Sequence, residues 1–314
     1  MSKVFWPVMA VLSIFSLSSL TGCMSTTSIG AGADRKQFIL VSQKSALKKA
    51  DKMVKKSLPN GVHQYNHSEE RVVRLMNTLI PYANTYVKNG EHYDWNVHVW
   101  NSKKVNAGAL ANGTVVITNK IAFNPNITDE ELAFVIAHEM AHVVRQHHRE
   151  TATWKYAMSP VLLATAVATS GATSIAAAAG HDMYRIGFSK TTEREADALG
   201  IEIYARAGYD PKHAVSLFNK LEPLMKDAHP VLSRMPAAIS THPSFNTRKK
   251  QINKNMNSYV AMKNAHQPMT SENQIAWDFK KHETKPNFKV NRIELKKNQT
   301  QPLGQTATLV DRKF

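Results

Sequence analysis

Between residues 128 and 143 apolar positions recur at steps of three and four. In "TDEELAFVIAHEMAHV" they are Leu132, Val135, Ile136, Met140 and Val143, the spacing that keeps side chains on one helix face. Thr128 stands before them with Glu131 three residues on, the arrangement of a capping box. The pattern predicts a helix of roughly 20 residues from about Asp129. A second stripe, Ala196, Leu199, Ile203 and Tyr204, runs through "SKTTEREADALGIEIYARAGYD", residues 189–210, with Ser189, Thr191 and Thr192 as candidate N-caps. "SEERVVRLMNTLIPYANTY" reads as a further helix, and "YDPKHAVSLFNKLEPLM" as another, opened by Asp210-Pro211. "WNVHVWNS" and residues 114–118 read as strands. The predicted class is α+β, mostly helical, with a small β-sheet beside the helix that starts at Asp129.

Residues 133–150, "AFVIAHEMAHVVRQHHRE", carry four histidines. At about 100° per residue, His138 and His142 lie about 40° apart, one turn from each other. On one continuous helix His147 falls about 180° from His138, and His148 about 80° away on the other side. Only His138 and His142 can then share a metal, and His147 and His148 are expected to be exposed near the helix C-terminus, where positive charge is tolerated. Glu139, inside H-E-x-x-H, is too close to be a good third ligand. It is well placed to take a proton from a metal-activated water, the arrangement of zinc peptidases.

Hydrolytic zinc needs a third protein ligand. The spacing H-E-x-x-H-x-x-G-x-x-H does not supply it, because Arg145 stands in place of the glycine. Glu193 and Asp197 share a face at i, i+4, whereas Glu195 points about 160° away from Glu193. Glu193 could reach the metal, and Asp197 could accept the other ring N–H of a ligand histidine. The same residues also suit an ordinary solvated acidic face.

H-E-x-x-H followed some 50 residues later by E-x-x-x-D resembles the HtpX/CAAX-protease-type gluzincin zinc metallopeptidases. "NAGALANGTVVITNKI", residues 106–121, is similar to that family's strand before the active-site helix, and "THPSFNTR", residues 241–248, to its H-P-x-x-x-x-R element. "DRKQFILVS", residues 34–42, resembles the start of the soluble lipoprotein branch, the BepA- and LoiP-like proteins. The resemblance implies a zincin-like fold, one Zn²⁺ per chain held by His138, His142 and Glu193, and Glu139 as catalytic base. It also puts His242 and Arg248 at the site. His242 would either cap the open zinc position in the resting enzyme or act in catalysis; Arg248 would pair with an active-site carboxylate or stabilise the oxyanion. Asn106, Ala107, Gly108 and Ala109 are expected to form an edge that binds extended substrate through backbone groups. The implied activity is envelope-anchored proteolysis of unfolded or misassembled proteins. A chaperone-like assembly factor with little proteolysis is the alternative, and outer-membrane assembly machinery is a candidate partner.

The first residues, "MSKVFWPVMAVLSIFSLSSLTGC", pair Lys3 with an apolar run from Val4 to Leu20 and end on the chain's only cysteine. Leu20-Thr21-Gly22-Cys23 resembles a bacterial lipobox, so residues 1–22 are expected to be a signal peptide and Cys23 the lipidated residue. Met24 after Cys23 fits sorting to the periplasmic face of the outer membrane. Residues 23–34 are expected to be a lipidated tether, 35–260 the peptidase domain, and 261–314 a basic polar tail, disordered or loosely docked. Residues 35–57 read as a helix carrying eight Lys/Arg against one acid. Formal net charge is +16, yet no nucleic-acid-binding motif accompanies it. Anionic lipid, or plain solvation, accounts for that charge as well. Residues 157–180 are apolar and uncharged but contain Pro160 and Gly171. They are expected to form two helices over or beside the site rather than a membrane span.

Overall fold

A computed structural model describes residues 23–27, 35–57, 67–88, 93–103, 105–168, 174–228 and 245–265. It is mostly helical with little sheet, as the patterns predict. Strands β1 (Cys23–Met24) and β2 (Gln37–Phe38) pair antiparallel. Helices α1 (Gln43–Ser57) and α2 (His67–Asn84) follow, then β3 (Asn96–Trp100), β4 (Ala107–Ala109) and β5 (Thr114–Thr118). A short α3 (Asn119–Ala122) leads into α4 (Asp129–Val144), α5 (His147–Ala168), α6 (Ser174–Arg206), α7 (Lys212–Ala228), α8 (Phe245–Lys254) and α9 (Met256–Asn264). The three-stranded sheet has the order β3-β5-β4, with β3 parallel to β5 and β4 antiparallel. Gly113, at φ +92°, makes the turn between β4 and β5, a conformation that suits glycine.

α4 is the centre of the molecule. Its start is fixed by the predicted capping box: the Glu131 N–H donates to Thr128 Oγ1 at 3.3 Å, and the Thr128 N–H donates to Glu131 Oε2 at 2.9 Å. Arg71 of α2 adds a 2.6 Å ion pair to Asp129, placing an acid where the helix dipole favours it. From Glu131 to Val144 every residue is buried except Glu139 and His142. The apolar stripe seen in the sequence is thus one side of a helix packed nearly all round, against α2, α6, α7 and the sheet. Its opening to solvent lies at the H-E-x-x-H motif.

Three expectations change. The helix from Asp129 stops at Val144, because Gln146 takes a positive φ of 52°. A new helix then starts at His147, so angles extrapolated past residue 144 do not apply. Residues 35–57 are not one helix: they begin with β2, and the helix starts at Gln43. The described part of the expected tether is packed rather than free. Thr26 and Thr27 are buried, and Thr27 bridges to Val87. The apolar stretch 157–180 is divided between the end of α5 and the start of α6. Among the described residues no helix is long and apolar enough to cross a membrane.

Gly200 sits inside the apolar stripe of α6. A Cβ there would lie 2.9 Å from the His138 Cα and 3.1 Å from its nitrogen, so this glycine lets the backbones of α6 and α4 meet at His138. Alanine is the better helix former by about 1 kcal/mol, but here it must push two packed backbones apart. We expect Gly200→Ala to lower stability by about 1–3 kcal/mol net, read as a lower midpoint in thermal unfolding. An unchanged or higher midpoint would contradict the close approach.

Candidate metal centre

α4 and α6 together bring three donors to one point. His138 Nε2 and His142 Nε2 are 3.2 Å apart. Glu193 places one carboxylate oxygen 3.5 Å from His138 Nε2 and the other 3.6 Å from His142 Nε2. Two tetrahedral ligands at about 2.0–2.1 Å from one zinc ion stand about 3.3 Å apart. The spacing of the three donors therefore fits a shared zinc ion, and the set of two imidazoles and one carboxylate suits that metal. Among the described residues this is the one group of three or more candidate ligands that converges in this way.

The electrostatics agree with a site built to hold a cation. Burial disfavours charge on His138, but hydrogen bonds to Asp197 and Glu193 outweigh it and push its pKa up to about 10. Burial, reinforced by the charge of His138, drives His142 well below the ordinary imidazole range. A metal ion taking Nε2 of both rings would displace the proton that the Asp197 and Glu193 carboxylates favour on His138.

Asp197 lies one turn beyond Glu193 on α6, with an oxygen 3.1 Å from His138 Nδ1. A histidine that binds metal through Nε2 carries its proton on Nδ1, so Asp197 can accept it and hold the ring. α8 brings Arg248 to the same carboxylate, donating to both Asp197 oxygens, through Nε at 2.7 Å. The guanidinium packs 4.5 Å over the Phe218 ring and stays 3.8 Å from Glu193. Of the two roles expected for Arg248, the geometry supplies carboxylate pairing; its fork faces Asp197. His242 lies outside the described residues.

His147 and His148 are not exposed. His147 is 3% exposed, with Nδ1 2.9 Å from His142 Nδ1 and Nε2 3.1 Å from Glu195 Oε2. His148 is half-buried, and burial lowers its pKa to about 4. Both follow from the break at Gln146, which turns α5 back against α4 and α6. Glu195 does point away from Glu193, but into a buried charge cluster rather than toward solvent. Arg145, wholly buried, donates to Glu195 Oε2 at 3.0 Å, and Arg35 donates to Oε1 at 2.6 Å. Burial would raise the Glu195 pKa; the hydrogen bonds from His147 and Arg35 and the charge of Arg145 prevail and hold it at about 2. Arg35 also grips Glu150 through two nitrogens at 2.6 and 2.9 Å. Nothing local in the sequence announces these pairings of Glu195 and Arg35, which join residues from 48 to 160 positions apart.

β4 is the sheet edge next to α4. Asn106 and Leu110 exchange backbone hydrogen bonds with β5, through Thr118 N–H to Asn106 O and Leu110 N–H to Thr114 O. By antiparallel alternation Gly108 also faces β5, leaving Ala107 and Ala109 with backbone groups turned to the open edge. Of the four residues expected to bind substrate, these two have the right direction. A side chain at Gly108 would meet nothing within 4 Å, so the face above the strand has room.

Comparison with known proteins points the same way. The Beta-barrel assembly-enhancing protease of Escherichia coli (strain K12) is 33% identical over 175 residues, covering 52% of this chain and 34% of that protein. The Mitochondrial metalloendopeptidase OMA1 of Arabidopsis thaliana is 34% identical over 165 residues, covering 52% of this chain and 32% of that protein. Its namesake from Schizosaccharomyces pombe is 32% identical over 165 residues, covering 50% and 45% respectively. The chain thus spans about a third of the length of the first two relatives. Residues 66–256, which include α2, the three-stranded sheet and the His138, His142 and Glu193 donors, match the family model described as Peptidase family M48. That match takes in well over half of the 314 residues, and the chain belongs to peptidase family M48.

Proposed function

We propose that the chain is a zinc metalloendopeptidase that cleaves unfolded or misassembled envelope proteins. The observation that carries this is the convergence of His138, His142 and Glu193 within 3.2–3.6 Å of one another, beside Glu139 at the open side of α4. His138, His142 and Glu193 would hold the zinc, which would supply acidification of water and polarisation of the scissile carbonyl. Glu139, half-buried and next in the chain to His138, takes the proton from the attacking water and delivers it to the leaving amine. Asp197, held by Arg248, fixes the His138 ring. The Ala107 and Ala109 backbone groups align an extended segment as an added strand. This mode of binding needs a free backbone, so it selects unfolded chain over folded barrel.

The relatives named for β-barrel assembly and for metalloendopeptidase activity support this substrate class and make outer-membrane assembly machinery the candidate partner. In this reading Cys23 carries the lipid that holds the enzyme at the periplasmic face of the outer membrane. The zinc-loaded chain should cut a denatured outer-membrane β-barrel protein and spare the same protein refolded in detergent. Equal cutting of both forms would contradict edge-strand selection. Cys23→Ser should lose palmitate labelling and leave the outer-membrane fraction; normal labelling would refute the anchor.

A further inference from the structure

His142 lacks the carboxylate partner that Asp197 gives to His138. What stands behind it is His147, whose Nδ1 is 2.9 Å from His142 Nδ1. If His142 uses Nε2 for the metal, its proton sits on Nδ1 and is donated to His147. His147 must then accept at Nδ1, which fixes its own proton on Nε2, pointing at Glu195 Oε2 3.1 Å away. Each nitrogen in the series has one consistent role: His142 donates to His147, and His147 donates to Glu195. With metal on His142 Nε2 at one end and the Glu195 carboxylate at the other, both tautomers follow.

Glu195 is held in turn. Arg145 from the α4–α5 turn and Arg35 from the N-terminal segment each pair with it. Arg35 is fixed by Glu150. Gln37 donates to Glu150 Oε2 at 2.7 Å and to the Arg145 carbonyl at 2.8 Å. The Arg145 guanidinium donates to the carbonyl of Arg35 at 3.1 Å. The stretch just after the expected lipid attachment is thus built into the support of the second ligand histidine.

We propose that His147 and Glu195 are positioning residues for His142, and that Arg35 completes their support, so that the N-terminal segment helps set the metal affinity of the site. The inference rests on the zinc reading of the site. It makes the two ligand histidines equivalent in kind: His138 is oriented by Asp197 under Arg248, and His142 by His147 and Glu195 under Arg145 and Arg35.

Zinc affinity, measured on the purified chain by competition with a chromophoric chelator, tests this without any assay of cleavage. His147→Phe keeps a ring but removes both hydrogen bonds, and should weaken zinc binding about 10–100-fold. His147→Gln offers one acceptor and one donor and should recover part of the loss. In the cobalt-substituted protein the visible ligand-field bands should shift in His147→Phe and return toward wild type in His147→Gln, which a purely space-filling role would not produce. Arg35→Gln, at a partly exposed position, keeps the cluster accessible to test if His147→Phe does not fold; it should weaken zinc binding several-fold. Wild-type affinity in a folded His147→Phe, or in Arg35→Gln if that is the variant available, overturns the proposal and leaves the metal centre standing. A wild-type chain that takes up no zinc overturns both.

Discussion

Glu139→Gln is expected to lower cleavage of an unfolded protein by about 10²–10⁴-fold, the range for loss of a general acid–base group, with zinc retained at the wild-type level. Glutamine matches glutamate in size and can still hydrogen-bond a water, but it cannot take the proton. The position also tolerates the change: Glu139 is one of two residues between 131 and 144 that are not buried, so its neutralisation leaves no orphaned charge in the core. It lies near enough for its charge to act on Arg248, and that guanidinium remains paired with Asp197. The kinetic parameters separate two outcomes. A fall in kcat at constant KM marks a group that acts in the chemical step. A rise in KM alone would make Glu139 a binding residue and remove it from the chemistry.

Glu193→Ala is expected to weaken zinc binding by more than the roughly 10–100-fold typical of outer-sphere changes. The loss should abolish cleavage at low zinc. Among the described residues Glu193 is the one carboxylate whose two oxygens reach both the His138 and the His142 imidazoles, and its removal would leave two histidines to hold the ion. Arg194→Ala, at the exposed neighbouring position, is the control and should leave zinc content unchanged. Glu195 is unsuitable as that control, although it faces the other way, because it supports His142 through His147. Equal retention in Glu193→Ala and Arg194→Ala would remove Glu193 from the ligand set.

The pairing of these residues was legible in the sequence because it depends on local helical geometry. His138 and His142 are one turn apart, as are Glu193 and Asp197, and periodicity fixes such facing without knowledge of the fold. The capping box at Thr128 was readable for the same reason. What failed was extrapolation through a break that carries no glycine or proline. Gln146 adopts φ 52°, and its neighbours give no sign of it, so His147 was turned to solvent by an angle it does not have. The charge cluster was beyond reach for a different reason. Arg35, Arg145, Glu150 and Glu195 come from the N-terminal segment, a turn and two helices, and only the folded chain brings them together. Gly200 did leave a signal, since an isolated glycine in a helical pattern suggests close packing. The length of chain between α4 and α6 hides the partner that it meets.

In this reading one metal held by α4 and α6 makes the chain a peptidase. The most direct measurement follows release of fragments from a denatured outer-membrane protein by the purified chain as its metal is removed and returned. Cleavage should be lost on chelation and restored by one equivalent of Zn²⁺ per chain, with fragment ends showing hydrolysis of internal peptide bonds. Cleavage that survives complete removal of metal, or a fully zinc-loaded chain that leaves the denatured protein intact, would contradict the account.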